Sequence, residues 1–213
     1  MQTLDHTAYL NMREGADVLE ADGKGDKVLC LADGSMLKLF RRKRLLTSAL
    51  WAPYARRFAD NCRALRERSI ECPTVRQIYR IPSIERDAVH YDPLPGRTLR
   101  QLLGSDDNES LRAQLGEFIA RLHENGIYFR SAHLGNVVLT PENTLGLIDI
   151  ADLRTYRKPL RKGLRLRNFK HMLRYRQDRE WLLKDNQFLE HYLNHQRVCN
   201  GRELSLALTP LSP

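Results

Sequence analysis

The chain has 213 residues, of which 42% are hydrophobic and 29% charged, and it carries a net charge of +9. That balance argues for an ordered globular protein, built as one domain or as two small lobes sharing a core, and against a disordered or fibrous chain. No apolar run approaches the roughly 20 residues that span a bilayer, and the opening MQTLDHTAYL lacks the basic start and apolar core of a signal peptide.

Cys30, Cys62, Cys72 and Cys199 are scattered without C-x-x-C spacing. Reduced thiols in a cytoplasmic protein are the expectation. The positive charge is concentrated in one segment. Arg154 to Arg179 holds eleven Lys or Arg and one acid, Asp178, whereas the rest of the chain is close to neutral at −1. Such a segment favours a polyanionic partner: a phosphorylated glycan, a nucleic acid or an anionic membrane surface. A solvated helix face is the plain alternative.

Taken in order, residues 1–15 read as a loosely held arm. Residues 16–21, 26–32 and 35–40 then form three short alternating runs, separated by Asp22-Gly23-Lys24-Gly25 and by Asp33-Gly34. D-G pairs between apolar runs are hairpin signals, so a three-strand antiparallel meander is expected. Lys38 sits alone inside the apolar third run. An ammonium there costs energy unless it is paired or reaches solvent.

Residues 48–68 read as a helix whose stripe is Trp51, Tyr54, Phe58, Cys62 and Leu65, with Asp60 and Glu67 on the far side. Two more strands follow at Thr74–Ile81 and Asp87–Tyr91. The second runs into Asp92-Pro93-Leu94-Pro95-Gly96, a rigid crossover with a turn.

Asp106 to Asn125 is the clearest helix. Asn108 can cap it, Leu111, Leu115, Phe118, Ile119 and Leu122 form one face, and Gly126 ends it. His123 lies one position from that stripe and reads as a packing or capping residue. Ile127 to Asp152 is a loop, a two-strand turn and a second loop carrying acids. After Pro159 and Gly163 the chain becomes helical from Leu164, with Leu166, Phe169, Leu173 and Trp181 among the arginines. A further helix spans Asp185–Val198, and residues after Gly201 read as a tail.

Within the loop, His133, Gly135 and Asn136 form an H-x-G-N run, and Asp149 follows thirteen residues after Asn136. An amide oxygen and a carboxylate joined by a hairpin can converge on one hard divalent cation. This pattern resembles the catalytic loop and metal-binding acid of kinase-like phosphotransferases, whose small-molecule form is H-G-D-x-H-x-x-N followed by I-D-F. More narrowly it is similar to the bacterial lipopolysaccharide kinases of the Kdo kinase group and the toluene-tolerance-type proteins. The likeness covers roughly residues 16–185. Two positions depart from the pattern. Ser131 stands where that family carries its catalytic Asp, and Phe129 where a His is usual.

The resemblance implies an α+β, two-lobed protein-kinase-like fold. Residues 16–92 would form a small antiparallel-sheet N-lobe. Residues 93–199 would form a mainly helical C-lobe, with a catalytic loop at 127–136 and a basic helical segment at 154–184; 200–213 is the tail. It implies an ATP-dependent phosphotransferase acting on a sugar of the lipopolysaccharide core, with ATP and Mg²⁺ as cofactors. Asn136 and Asp149 would hold the metal. Lys38, the Gly23 and Gly25 turn, and the crossover at Tyr91 and Leu94 would hold the nucleotide. The helix acid that pairs the strand lysine in kinases has no counterpart on the stripe, so Asn61 is expected to face Lys38. A Ser hydroxyl is no base near neutral pH, and a positioned base is worth about 10²–10⁴-fold. Three ways round this are open: His133 or Asp152 serves as the base, the substrate phosphate takes the proton, or there is no transfer. Arg161, Arg165, Arg167 and Lys170 would form the surface that meets an anionic glycolipid or phosphorylated sugar. The expected location is cytoplasmic, with peripheral contact at the inner membrane left open. Two alternatives stand beside this one: a kinase-like binding protein of envelope biogenesis with weak or no catalysis, and, last, a nucleic-acid-binding protein.

Overall fold

The structure is a computed structural model, and it describes residues 1–42, 53–104 and 109–201. The chain divides into two compact units, Met1–Leu94 and Pro95–Pro213. Strands dominate the first and helices the second, so the mixed content is that of an α+β protein.

The first unit contains β1 (Gln2–Thr3), α1 (His6–Arg13), β2 (Asp17–Asp22), β3 (Gly25–Cys30), β4 (Met36–Arg41), α2 (Tyr54–Arg66), β5 (Thr74–Ile81) and β6 (Arg86–Asp92). The strands form one sheet in the order β1-β5-β6-β4-β3-β2, antiparallel except where β1 pairs with β5. The D-G signals act as expected. Gly23-Lys24 closes β2 onto β3 as a two-residue hairpin, and the Asp22 carboxylate accepts from Lys24 N at 2.9 Å.

Alternation along β4 decides what each face covers. Leu37 and Leu39 are buried with Leu29, Leu31, Ile81 and Ala88, and that cluster is completed by Leu4 and Tyr9. The expectation of a loose arm at residues 1–15 is thereby corrected. Leu4 and Tyr9 anchor the segment, and Asp5 caps α1 by accepting from Ala8 N at 2.8 Å. The other face of β4 carries Lys38 and Phe40. There α2 packs against β4, β5 and β6, with Tyr54 stacked on Phe40 and Phe58 tilted against Tyr91. Phe58, Cys62 and Leu65 are buried, as their spacing requires. Trp51 and the expected first turn of that helix lie outside the described residues.

The second unit contains β7 (Arg97–Thr98), α3 (Glu109–Glu124), β8 (Ile127–Tyr128), β9 (Val137–Leu139), β10 (Leu145–Leu147), β11 (Arg154–Thr155), α4 (Lys162–Met172), α5 (Arg176–Leu182) and α6 (Gln187–Asn194). Leu111, Leu115, Phe118, Ile119 and Leu122 of α3 are all buried. Asn108, the expected cap, lies outside the described residues. The buried part of α3 is wider than one stripe, because α6 lies close along it at Gly116. A Cβ on Gly116 would stand 2.4 Å from the Phe188 carbonyl oxygen. Gly126 ends the helix at φ +70°, and a Cβ there would meet the Tyr156 carbonyl oxygen at 2.3 Å.

The basic segment differs from the single run its sequence suggests. It breaks at Leu173 into α4 and α5, and the interior residues of α4 are Arg165, Asn168, Phe169 and Met172. Leu166 and Leu173 are only half-buried. The last helix is also shorter than Asp185–Val198, and the expected tail from residue 202 onward lies outside the described residues. Among the described residues no helix is long and apolar enough to cross a membrane.

Candidate functional site

The loop that the sequence singles out is held by two short antiparallel pairs in the second unit. β8 pairs with β11, Tyr128 opposite Arg154. β9 pairs with β10, Val137 opposite Leu147. The β9–β10 hairpin therefore brings Asn136 and Ile148 together, and Ile148 N donates to the Asn136 carbonyl at 3.1 Å. Thirteen residues of sequence become two adjacent loop ends. Asp149 is next in line, exposed, at φ +52° and ψ +45°. A left-handed non-glycine residue is strained, and Asp is among the few side chains that tolerate it. Such outliers persist where their surroundings over-determine them, commonly at functional sites.

Asn136 is nearly buried, and its Nδ2 donates to the Ser131 carbonyl at 3.0 Å. With the amide nitrogen so used, the side-chain oxygen is the atom left to meet a cation. Ser131 Oγ donates to Asp152 Oδ2 at 2.9 Å. The Ser131 hydroxyl is thus backed by a carboxylate from the next loop. Asp152 Oδ1 is buried and has no hydrogen-bond partner among the described residues.

His133 is half-buried, with its ring edge-on to Tyr175 at 5.3 Å between centroids. Burial first, and the Arg100 charge second, push its pKa below the ordinary imidazole value. It is neutral at pH 7, with one N–H and one lone pair. Gly135 fits tightly between His133 and Arg100. A Cβ there would stand 3.1 Å from Arg100 Nη1 and 3.2 Å from His133 Nδ1.

Two supports of this loop carry no motif. Asp178, fully buried, accepts from Arg100 Nη2 at 2.6 Å, from Arg100 Nε at 3.1 Å and from Leu134 N at 3.0 Å, while the Arg100 guanidinium lies 4.5 Å over the Tyr175 ring. Asn168 Nδ2 donates to the Phe129 carbonyl at 2.8 Å, and its Oδ1 pairs with His123 Nε2 at 3.1 Å. An amide oxygen only accepts, so Nε2 carries the proton and Nδ1 accepts from Tyr192 Oη at 2.9 Å. Complete burial pushes His123 down to about 3. It is a packing residue, as its place beside the stripe suggests. Phe129 is fully buried. His171 is a further residue the motifs did not mark. Its Nε2 is buried without a hydrogen-bond partner among the described residues, and the acid that acts on it there is Asp152.

The remaining sequence-named residues lie in the first unit or on the basic segment. Lys38 is half-buried on the α2 face of β4, between Val28 and Val89 of the neighbouring strands. Asn61 is half-buried on α2, whereas Asp60 and Glu67 are exposed, with Asp60 paired to Arg63 at 2.7 Å. Tyr91 and Leu94 are half-buried. The turn at Gly23 and Gly25 is pinned through Asp22, which accepts from Arg41 at 2.5 Å, and through the Lys24 carbonyl, which accepts from Arg86 at 2.7 Å. Gly25 needs its freedom at φ +109°. Arg161, Arg167 and Lys170 are exposed.

Arg165 is the correction among these residues. It is fully buried, donating to the Leu160 carbonyl at 2.8 Å and to Glu124 at 2.9 Å. A guanidinium in that position braces α4 against the end of α3 and cannot meet a ligand at the surface.

No family model and no curated protein matches the chain.

Proposed function

We propose that the chain is a kinase-like phosphotransferase, its two units being the two lobes of that fold, which binds Mg·ATP and phosphorylates an alcohol of an anionic acceptor. The observation that carries this reading is the hairpin that bonds Asn136 to Ile148, the residue before Asp149, with the Asn136 amide nitrogen committed to the Ser131 carbonyl. An amide oxygen and an exposed carboxylate are the hard donors that Mg²⁺ takes alongside substrate phosphates. Asn136 and Asp149 would hold the metal, which would supply neutralisation of phosphate charge. In the first unit, Lys38, the Gly23–Gly25 turn, Tyr91 and Leu94 would serve nucleotide binding. Asp152 would accept the acceptor's proton beside Ser131, in place of the missing Asp. Neutral His133 would donate to the transferred phosphoryl group.

The exposed Arg161, Arg167 and Lys170 favour an acceptor that already bears phosphate or carboxylate, consistent with a lipopolysaccharide-core sugar. A cavity of about 490 Å³ lined by Tyr156, Leu160 and Leu164, with Arg157, Lys158 and Arg161 beside them, adds an apolar floor and a cationic rim. That pairing suits a glycolipid better than a free sugar.

Calorimetric titration with ATP in Mg²⁺ tests the reading on the wild type and on Asp149→Ala. The substitution is expected to remove Mg²⁺-dependent binding. Equal binding by the variant would sink the assignment. A second reading, a nucleotide-binding protein without turnover, is favoured by the burial of Asp152 Oδ1, which hides that oxygen from solvent. Binding without phosphotransfer, unchanged in Asp152→Asn, would select it.

A further inference from the structure

Away from that loop, α3 and α6 bring three metal-ligating side chains together. Glu117 comes from the middle of α3. His191 lies on α6, and His195 follows one turn later, immediately past the helix end. Ligand atoms of the three lie within 4.8 Å of one another. The two imidazoles are nearly parallel, 11° apart in plane with centroids at 6.3 Å. Glu117 Oε1 and His191 Nδ1 are 2.8 Å apart.

His195 Nδ1 lies 2.8 Å from the His191 carbonyl. A carbonyl only accepts, so Nδ1 carries the proton and Nε2 is left with its lone pair. A backbone carbonyl fixing the tautomer in this way is the usual outer support of a metal-binding histidine. Glu117 and His195 also line a cavity of about 520 Å³, together with Gln114, Arg121 and Glu124.

We propose that Glu117, His191 and His195 bind a divalent d-block cation of the zinc class, with a fourth position open to that cavity. Two imidazole nitrogens and one carboxylate oxygen are the donor set such ions prefer over Mg²⁺ or Ca²⁺. The metal takes the place of the proton between Glu117 and His191, and His191 keeps its own proton on the other ring nitrogen. Metal–ligand bonds of about 2.0–2.2 Å put tetrahedral donors roughly 3.3–3.6 Å apart. The 4.8 Å limit therefore closes by side-chain rotation alone, since Glu117 and His191 are half-exposed and His195 is exposed. The consequence is a clamp between α6 and the helix that leads into the Asn136 loop. It is independent of nucleotide binding.

The test is equilibrium dialysis of the untagged full chain against Zn²⁺, with the visible spectrum of the Co²⁺ form as a geometric readout. Wild type should take up one equivalent and show the intense bands of tetrahedral Co²⁺. His195→Ala changes an exposed side chain outside the helix, so it should fold normally. It should weaken uptake about ten-fold or more and remove the bands, and Glu117→Gln should do the same. All four cysteines and Asp149 remain in both variants. Zinc held equally well by His195→Ala and Glu117→Gln would place the ion elsewhere and overturn the proposal, as would a wild type that takes up none.

Discussion

His123 makes the second unit sensitive to acid. An unfolded imidazole binds a proton below about 6.5, whereas the folded His123, fully buried between Tyr192 and Asn168, does not until about 3. Through that window the unfolded state binds the extra proton, so stability falls as pH falls. A tenfold difference in proton affinity between the two states is worth about 1.36 kcal/mol. Lowering pH from 7 to 5 then costs about 2 kcal/mol through this one residue. Urea unfolding of wild type and His123→Gln at the two pH values measures it, followed by hydrogen exchange of the α3 amides. The variant is expected to be less stable at pH 7, because it loses the bridge to Tyr192 and Asn168. The gap should narrow by about 2 kcal/mol at pH 5, since glutamine does not titrate. His90, His133 and His171, also held below the ordinary value by burial, remain in both proteins and cancel. A gap that does not change with pH would refute the argument.

Substitutions at Asp178, Gly116, Arg165 and Arg161 probe the same unit. Asp178→Ala leaves Arg100 and Leu134 N without their buried acceptor and is expected to cost about 3–5 kcal/mol by chemical denaturation. Asp178→Asn, which keeps an oxygen for Leu134 N, should cost less. Gly116→Ala drives a Cβ to 2.4 Å from the Phe188 carbonyl, so α3 and α6 must part. A loss of about 1–3 kcal/mol and a lower Tm are expected. Arg165→Ala should cost roughly 1–3 kcal/mol, because the Leu160 carbonyl loses its donor and Glu124 its cation. Arg161→Ala, on the exposed side of the same segment, should stay within about 0.5 kcal/mol.

How much can be read from the sequence follows the distance over which each feature is decided. The strands of the first unit are legible because Asp22-Gly23 and Asp33-Gly34 punctuate runs of alternating side chains, and both signals are local. The five apolar residues of α3 share one helical face for the same reason. Asn136 and Asp149 can be paired because one short hairpin joins them. α1 is not legible. It has eight residues, and its hold on the sheet comes from Tyr9 and the preceding Leu4 meeting strands far along the chain. The supports of the site are hidden likewise. Asp178 reaches Leu134 across 44 positions, and Tyr192 reaches His123 across 69. An acid inside a basic run looks like an ordinary surface residue, and a histidine beside an apolar stripe shows that it packs but not against what, until the fold brings their partners.

The basic segment shows how such a partner changes the meaning of a charge count. Its excess reads as the property of one helical face, yet Arg165 is spent inside the protein on Glu124. That loss is offset from the other sign. The segment's one acid, Asp178, is fully buried and neutralised by Arg100, a residue from outside the segment. Nine of the eleven basic residues between Arg154 and Arg179 are exposed, and no acid of the segment remains at the surface to screen them. Arg176 finds Glu180 just beyond the segment, but an exposed pair of that kind contributes little. The field felt by an approaching anion is therefore close to the one the sequence count suggests, although the residues that produce it are different. Burying Arg165 ties the segment to α3, and burying Asp178 ties it to the loop that carries Asn136, so the same two residues that leave the surface fix its position beside the candidate site.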